Sequence, residues 1–285
     1  MTRIVYVNGA YRPETEAKVS VFDRGFLFAD AVYEVTAVIG GKLIDFPGHC
    51  ARLRRSLGEL GLPSPATDEE ILAIHRELVS RNALDLGHVY LMVTRGEADR
   101  DFAFPKAETP PSFVLFTQAR TAIETPEVGR GLRVASVPDL RWGRRDIKTV
   151  QLLYPSMAKM EAKRQGKDDA WFVENGEVTE GTSNNAYIVT QDGTIRTRAL
   201  GHDILHGITR AAIMRVAGEL ELRIEEKPFT IAEAQGAREA FITSAGAFVT
   251  PVVEIDGAAV GDGRPGPIAR RLRAAYLEAA IAQAI

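Results

Sequence analysis

The sequence predicts an α+β chain in two domains, on three observations. Its 285 residues sit at the size where a single hydrophobic core stops growing and chains divide. Within the first third, strand-like runs of β-branched residues are followed by apolar residues at helical spacing. Over residues 119–129, regular apolar periodicity lapses. The organisation expected is an N-terminal α+β domain over 1–118, a linker over 119–129 and a C-terminal α+β domain over 130–285.

The elements follow in order. Ile4-Val5-Tyr6-Val7 is a strand stopped by Asn8-Gly9, a hairpin signal. Residues 31–39 are largely apolar and β-branched, and Gly40-Gly41 ends them. Leu53, Leu57 and Leu60 recur at helical spacing. A second helix opens at Thr67 with Glu70 three residues on, the pattern of a capping box, and Ile71, Ile74 and Leu78 line its buried face. Residues 88–94 and 113–117 read as strands, and the polar stretch 97–111 between them, which carries three prolines, reads as a loop. Beyond the linker come a strand over 132–137 and a helix over 155–165, with Pro155 at its first position and Gly166 at its stop. Residues 170–179 form a hairpin about Asn175-Gly176, and another hairpin turns at Asp192-Gly193. A helix after Gly207-Ile208-Thr209 and a last one from Pro267 complete the second domain.

Composition narrows the function classes. An apolar share of 45% and a charged share of 26% are those of an ordinary globular protein. A net charge of −3 leaves no electrostatic footprint for nucleic acid or an anionic membrane. Basic clusters at Arg52-Leu53-Arg54-Arg55, Arg141 to Arg145 and Arg270 to Arg273 read as solvated faces. Cys50 is the single cysteine, so no intrachain disulfide forms and a reducing compartment fits. With no signal-peptide pattern and no run long enough to span a membrane, a cytoplasmic protein is expected. His49, His75, His88 and His202 have no partners at metal-ligand spacing, and no metal is expected. Trp142 and Trp171 read as packing aromatics.

Three segments could carry chemistry. Lys148, in Asp146-Ile147-Lys148-Thr149, stands among apolar and semi-apolar neighbours where a strand-like pattern ends. Desolvation favours the neutral amine of a lysine and so its attack on an aldehyde, although an exposed lysine at a strand end is the plainer reading of this residue alone. Thr179-Glu180-Gly181-Thr182-Ser183-Asn184-Asn185 leads from a carboxylate into small hydrogen-bonding side chains. Such a carboxylate can hold a pyridine nitrogen protonated; the plainer reading is a polar loop. Gly207-Ile208-Thr209-Arg210 opens a helix, and N–H groups there beside a threonine hydroxyl suit a phosphate. Thr243-Ser244 offers a second hydroxyl pair after a strand.

In combination these segments resemble the fold-type IV pyridoxal phosphate enzymes, and among them the D-amino acid aminotransferases. The resemblance runs from Tyr6-Val7-Asn8-Gly9 to Val253-Glu254-Ile255-Asp256-Gly257. Its most specific stretches are residues 23–34, Val93-Thr94-Arg95-Gly96, Asp146-Ile147-Lys148, Thr179-Glu180-Gly181 with Asn185, and Gly207-Ile208-Thr209-Arg210. It implies an α+β two-domain homodimer that binds pyridoxal 5'-phosphate, with Lys148 as the Schiff-base lysine and proton carrier and Glu180 on the ring nitrogen. It further implies that Arg52, Ile208 and Thr209 bind the cofactor phosphate, with Ser244 and Ala245 in the same cup, and that Leu205 packs on the ring. Tyr33 would point into the substrate pocket. Arg100 would reach across the dimer to the substrate α-carboxylate. The sequence departs from the family pattern twice: Phe102 stands where a histidine usually assists that arginine, and Ala245 where a threonine is usual.

The activity so implied is transfer of an amino group from a D-amino acid of the D-alanine type to a 2-oxo acid such as 2-oxoglutarate. Rival readings of the same fold are a branched-chain L-amino acid transaminase, an (R)-amine transaminase and a lyase of the aminodeoxychorismate type. A catalytically silent cofactor-binding protein is the rival of another class, and Lys148 with Glu180 argues against it.

Overall fold

The computed structural model describes residues 2–285, and the chain divides into two compact units. One holds the chain up to Ile123 together with Ile147–Gln151 and Gln283–Ile285; the other holds Glu124–Asp146 and Leu152–Ala282. The segment that carries Lys148, expected with the C-terminal domain, therefore groups with the first unit. The cause is backbone pairing: Thr149 bridges Val32, Tyr33 N donates to Lys148 O at 3.0 Å and Val150 N to Ala31 O at 3.1 Å.

The first unit contains β1 (Ile4–Val7), β2 (Ala10–Pro13), α1 (Arg24–Phe28), β3 (Ala31–Ile39), β4 (Lys42–Leu43), α2 (Phe46–Glu59), α3 (Asp68–Arg81), β5 (Leu86–Thr94) and β6 (Phe113–Ala119). Its six-stranded sheet runs β2-β1-β6-β5-β3-β4 and every pairing in it is antiparallel. Nine residue pairs lock β3 to β5, from Ala31↔Thr94 to Ile39↔Leu86. Val32, Val38, Val89 and Leu115 of the sheet meet Leu53 and Leu57 of α2 and Ile71 and Leu78 of α3 in one core. The α3 capping box is present, with Thr67 and Glu70 each taking the other's backbone N–H.

The second unit contains α4 (Pro126–Arg130), β7 (Leu132–Pro138), α5 (Leu153–Arg164), β8 (Asp169–Glu174), β9 (Glu177–Gly181), β10 (Asn185–Val189), β11 (Ile195–Thr197), α6 (Ile208–Glu219), β12 (Ile224–Glu226), α7 (Ile231–Gln235), β13 (Glu239–Ser244), β14 (Phe248–Ile255), β15 (Ala258–Ala259) and α8 (Pro267–Ala282). Its strands run β12-β11-β10-β13-β14-β7-β8-β9, with β15 against β14. β14–β7 and β7–β8 are parallel and the hairpins antiparallel, so the sheet is mixed. Trp171, Phe229, Ile242 and Val252 fill its core.

Four expectations are corrected. The helix expected from Pro155 starts at Leu153; the proline sits within the first turn, where its missing N–H has no intrahelical partner to lose. The expected linker is partly helical, because Pro126 opens α4. The basic clusters are not simply solvated: Arg52, Arg145 and Arg273 are buried, each against a carboxylate, Glu34, Glu174 and Glu124. Trp142 is exposed, whereas Trp171 is fully buried as expected. Among the described residues, no helix is long and apolar enough to cross a membrane.

Candidate active site

Two clusters hold the candidate residues, one in each unit. In the first unit the alternation of β3 puts Tyr33 and Glu34 on opposite faces. Glu34 is buried and meets the face of α2 on which His49, Arg52 and Ser56 stand at helical spacing. Arg52 donates from Nε to Glu34 Oε1 and from Nη2 to Oε2, both at 2.7 Å, and His49 Nδ1 lies 2.7 Å from Oε2. Burial opposes ionisation of Glu34, but the Arg52 guanidinium, with His49, overrides it and holds the carboxyl well below its usual range. One turn beyond Arg52 on the same helix, Ser56 Oγ accepts from the Lys148 N–H at 3.4 Å. Lys148 Nζ rests 4.1 Å from the centre of the Tyr33 ring. The Lys148 segment is thus tied by its backbone both to β3, which carries Tyr33, and to α2, which carries Arg52.

Arg100 and Phe102 lie in the loop between β5 and β6, both exposed. The loop leaves β5 through Gly96, whose φ of +91° only glycine adopts freely and where a Cβ would lie 2.1 Å from the Pro110 carbonyl oxygen.

The second unit is built around Glu180 on β9, which is 3% exposed. Arg141 Nη1 donates to its Oε1 at 2.5 Å. Asn185 Nδ2 and Leu205 N donate to Oε2, each at 3.1 Å. Asp139 holds Arg141 in place by accepting from its Nε at 2.9 Å and Nη2 at 2.7 Å, and Thr179 Oγ1 donates to Asp139 at 2.7 Å. Burial pushes the Glu180 carboxyl above its usual range, with Arg141 and the Leu205 N–H pulling against it. A carboxylate that is buried, oriented on both oxygens and countered by one arginine is a strong acceptor for a further N–H.

Leu205 meets Glu180 through its backbone, and its carbonyl takes the other N–H of Asn185 at 3.0 Å. Two residues on, Gly207 caps α6 with no side chain, so none satisfies the first-turn N–H groups of Ile208 and Thr209. Thr209 is buried there. A Cβ at 207 would lie 2.1 Å from Asn185 Oδ1, so any larger residue there would have to displace the Asn185 amide. Across the sheet Asn185 pairs with Thr243, which sets Ser244 and Ala245, at the β13–β14 turn, beside the same end of β10; Ser244 Oγ accepts from Ala247 N at 3.0 Å. His206 Nε2 lies 3.1 Å from the Gly201 carbonyl.

Each cluster by itself offers groups that suit pyridoxal 5'-phosphate: in the first unit an amine and a buried arginine for a phosphate, in the second a buried carboxylate for a ring N–H and an uncapped helix N-terminus. Sequence reasoning passed over Glu34, Asp139 and Arg141, and set His49 aside because it sought metal partners. The spacing of His49 and Arg52 on one helix face beside the tandem Tyr33-Glu34 was the signal available. For Arg141 there was none beyond its place in a basic cluster.

The family model for amino-transferase class IV matches residues 31–255, and the chain belongs to that family; it is an aminotransferase. Among curated relatives, the D-alanine aminotransferase of Staphylococcus aureus (strain COL) is 37% identical over 274 residues, 95% of this chain and 96% of that protein. The D-alanine aminotransferase of Bacillus licheniformis is 37% identical over 273 residues, 95% of each. Among solved structures, the T.th. branched-chain amino acid aminotransferase with pyridoxamine 5'-phosphate superposes with a TM-score of 0.90 at 28% identity, covering 99% of this chain and 95% of that one.

Proposed function

We propose that the protein is a pyridoxal 5'-phosphate-dependent D-amino acid transaminase that passes the amino group of a D-alanine-type donor to a 2-oxo acid such as 2-oxoglutarate. The observation that carries this reading is Glu180, buried and oriented by Arg141, Asn185 and Leu205, in a chain whose Lys148 is fixed by its backbone on β3. Likeness to the two D-alanine aminotransferases over nearly the whole chain supports the choice of donor.

When bound, the cofactor supplies an aldehyde carbon that condenses with amines and a protonated ring that withdraws electrons from the substrate Cα. The chain's own residues do the rest. Lys148 Nζ would hold the cofactor through its aldehyde carbon, and as a free amine, once the substrate amine has displaced it, would be the base for the proton on the substrate Cα. Glu180 accepts the ring N–H and keeps that proton in place. Arg52 and the first-turn N–H groups of Ile208 and Thr209, with Ser244 and the Ala245 N–H, hold the phosphate. Leu205 packs on the ring, and Tyr33 lines the substrate pocket. Arg100 takes the substrate carboxylate across a homodimer, with Phe102 beside it. We place the protein in the cytoplasm, on its single buried cysteine, Cys50.

The test is a half-reaction screen of the cofactor-loaded protein against D-alanine, L-leucine and (R)-1-phenylethylamine, followed by loss of the absorbance of lysine-bound cofactor. D-alanine is expected to react fastest. A faster reaction with L-leucine or with the amine overturns the proposed donor class and leaves the transaminase assignment standing.

A further inference from the structure

The loop over residues 97–111 is held by its backbone. Arg24, 3% exposed, donates from Nη1 to the carbonyls of Asp101 at 2.7 Å and Ala103 at 3.3 Å, while its Nε binds Asp30 at 2.9 Å. The chain is thus pinned on both sides of Phe102, and the Arg100 side chain beside it is exposed, long and rotamer-rich. Two rings limit it. The Arg100 guanidinium lies 5.2 Å from the centre of the Phe28 ring and 5.7 Å from that of Phe102. The rings meet edge to face at 5.8 Å, and Phe28 is itself anchored on Arg24, whose guanidinium lies 4.4 Å from it. A cation within about 6 Å of an aromatic face is attracted by the ring quadrupole.

We propose that Phe28, together with Phe102, is a positioning residue that holds the Arg100 guanidinium in one orientation for a substrate carboxylate, a proposal that rests on the reading of Arg100 given above. Phe102 then serves the carboxylate indirectly: it supplies no hydrogen bond, as a histidine there would, and steadies the one donor that does. A single steadied donor still separates amino acids from amines that lack a carboxylate.

Phe28→Leu keeps bulk and removes the aromatic face. At the strength of an exposed cation–π contact it is expected to raise KM for D-alanine about two- to fivefold with little change in kcat. In an Arg100→Ala background the same substitution is expected to change neither, and KM for (R)-1-phenylethylamine is expected to be indifferent to both. Phe102→Leu, at a position 82% exposed, gives the same test should Phe28→Leu fail to fold. Additive effects of Phe28→Leu and Arg100→Ala mean that the ring acts independently of the arginine and overturn the proposal while sparing the role of Arg100. An unchanged KM for D-alanine in Arg100→Ala alone overturns that role and the proposal with it. In protein labelled with 15N-arginine, the Nε–Hε signal that disappears in Arg100→Ala is expected to shift in Phe28→Leu as the ring current is lost. An unmoved signal overturns the proposal whatever the kinetics.

Discussion

In the proposed mechanism Lys148 and Glu180 divide the chemistry between an amine that must come and go and a carboxylate that must not move. Lys148→Ala is expected to abolish transamination while the far-ultraviolet circular dichroism of the protein stays native, because the backbone of residue 148, not its side chain, makes the bonds to Tyr33 and Ser56. Residual activity beyond a thousandth of wild type contradicts the role given to Nζ. Glu180→Gln is expected to keep the fold and the cofactor but to slow the half-reaction with D-alanine by tenfold or more, since a neutral amide cannot hold a ring nitrogen protonated; stopped-flow absorbance decides it. Alone, each of these residues had a plainer reading in the sequence, an exposed lysine and a polar loop; only the order of several motifs together marked them as candidates. The charges around them were not legible. Arg141 reaches Glu180 from thirty-nine positions away in the chain, and Glu34 meets Arg52 from the neighbouring strand; no local pattern encodes a partner fixed only by packing.

Helix ends and strand registers carry these residues, and here the sequence was most readable where a terminus announces itself. Thr67 with Glu70, and Gly207 before Ile208-Thr209, mark helix starts that the structure has in those places. The α5 start was misread because proline is tolerated throughout a first turn and does not single out its first residue. Short elements such as α1, α7 and β15 were not read, since a five-residue helix makes little more than one turn and a two-residue strand shows no alternation. At Gly207 the element and the site coincide. Gly207→Ala adds a methyl where Asn185 Oδ1 would stand 2.1 Å away, so the amide that orients Glu180 has to shift. An overpacking cost of about 1–3 kcal/mol is expected, read as a lower denaturation midpoint, together with at least a several-fold weaker hold on the cofactor by fluorescence titration. A neutral result on both measures means that the Asn185 side chain relaxes freely.

For the molecule as a whole, acid is the expected weakness. Burial lowers His75 and His88 to about 4, against about 6.5 for a free histidine. As pH falls from about 6.5 toward 4, the unfolded chain binds these protons before the folded one does, and stability drops over that window. Glu34 acts lower still. Its depressed folded value gives stability that is complete above the free carboxylate range, near pH 4.3, and is lost as pH falls further. Urea midpoints at pH 7.5, 5.5 and 4.5 are expected to fall in that order, and His75→Gln is expected to flatten the upper part of the decline. The division into two units adds a consequence for how the chain is made. Gln283–Ile285 belongs with the first unit, where Leu43 N donates to Ile285 O at 2.8 Å and Ile285 N to Leu43 O at 3.2 Å. During synthesis the edge strand β4 therefore waits, half paired, until all of the second unit, which ends at Ala282, has been made. Through that interval an open strand edge is offered to neighbouring nascent chains. Removing residues 283–285 makes the interval permanent: faster hydrogen exchange at the Leu43 amide and more aggregate on expression are the expected marks.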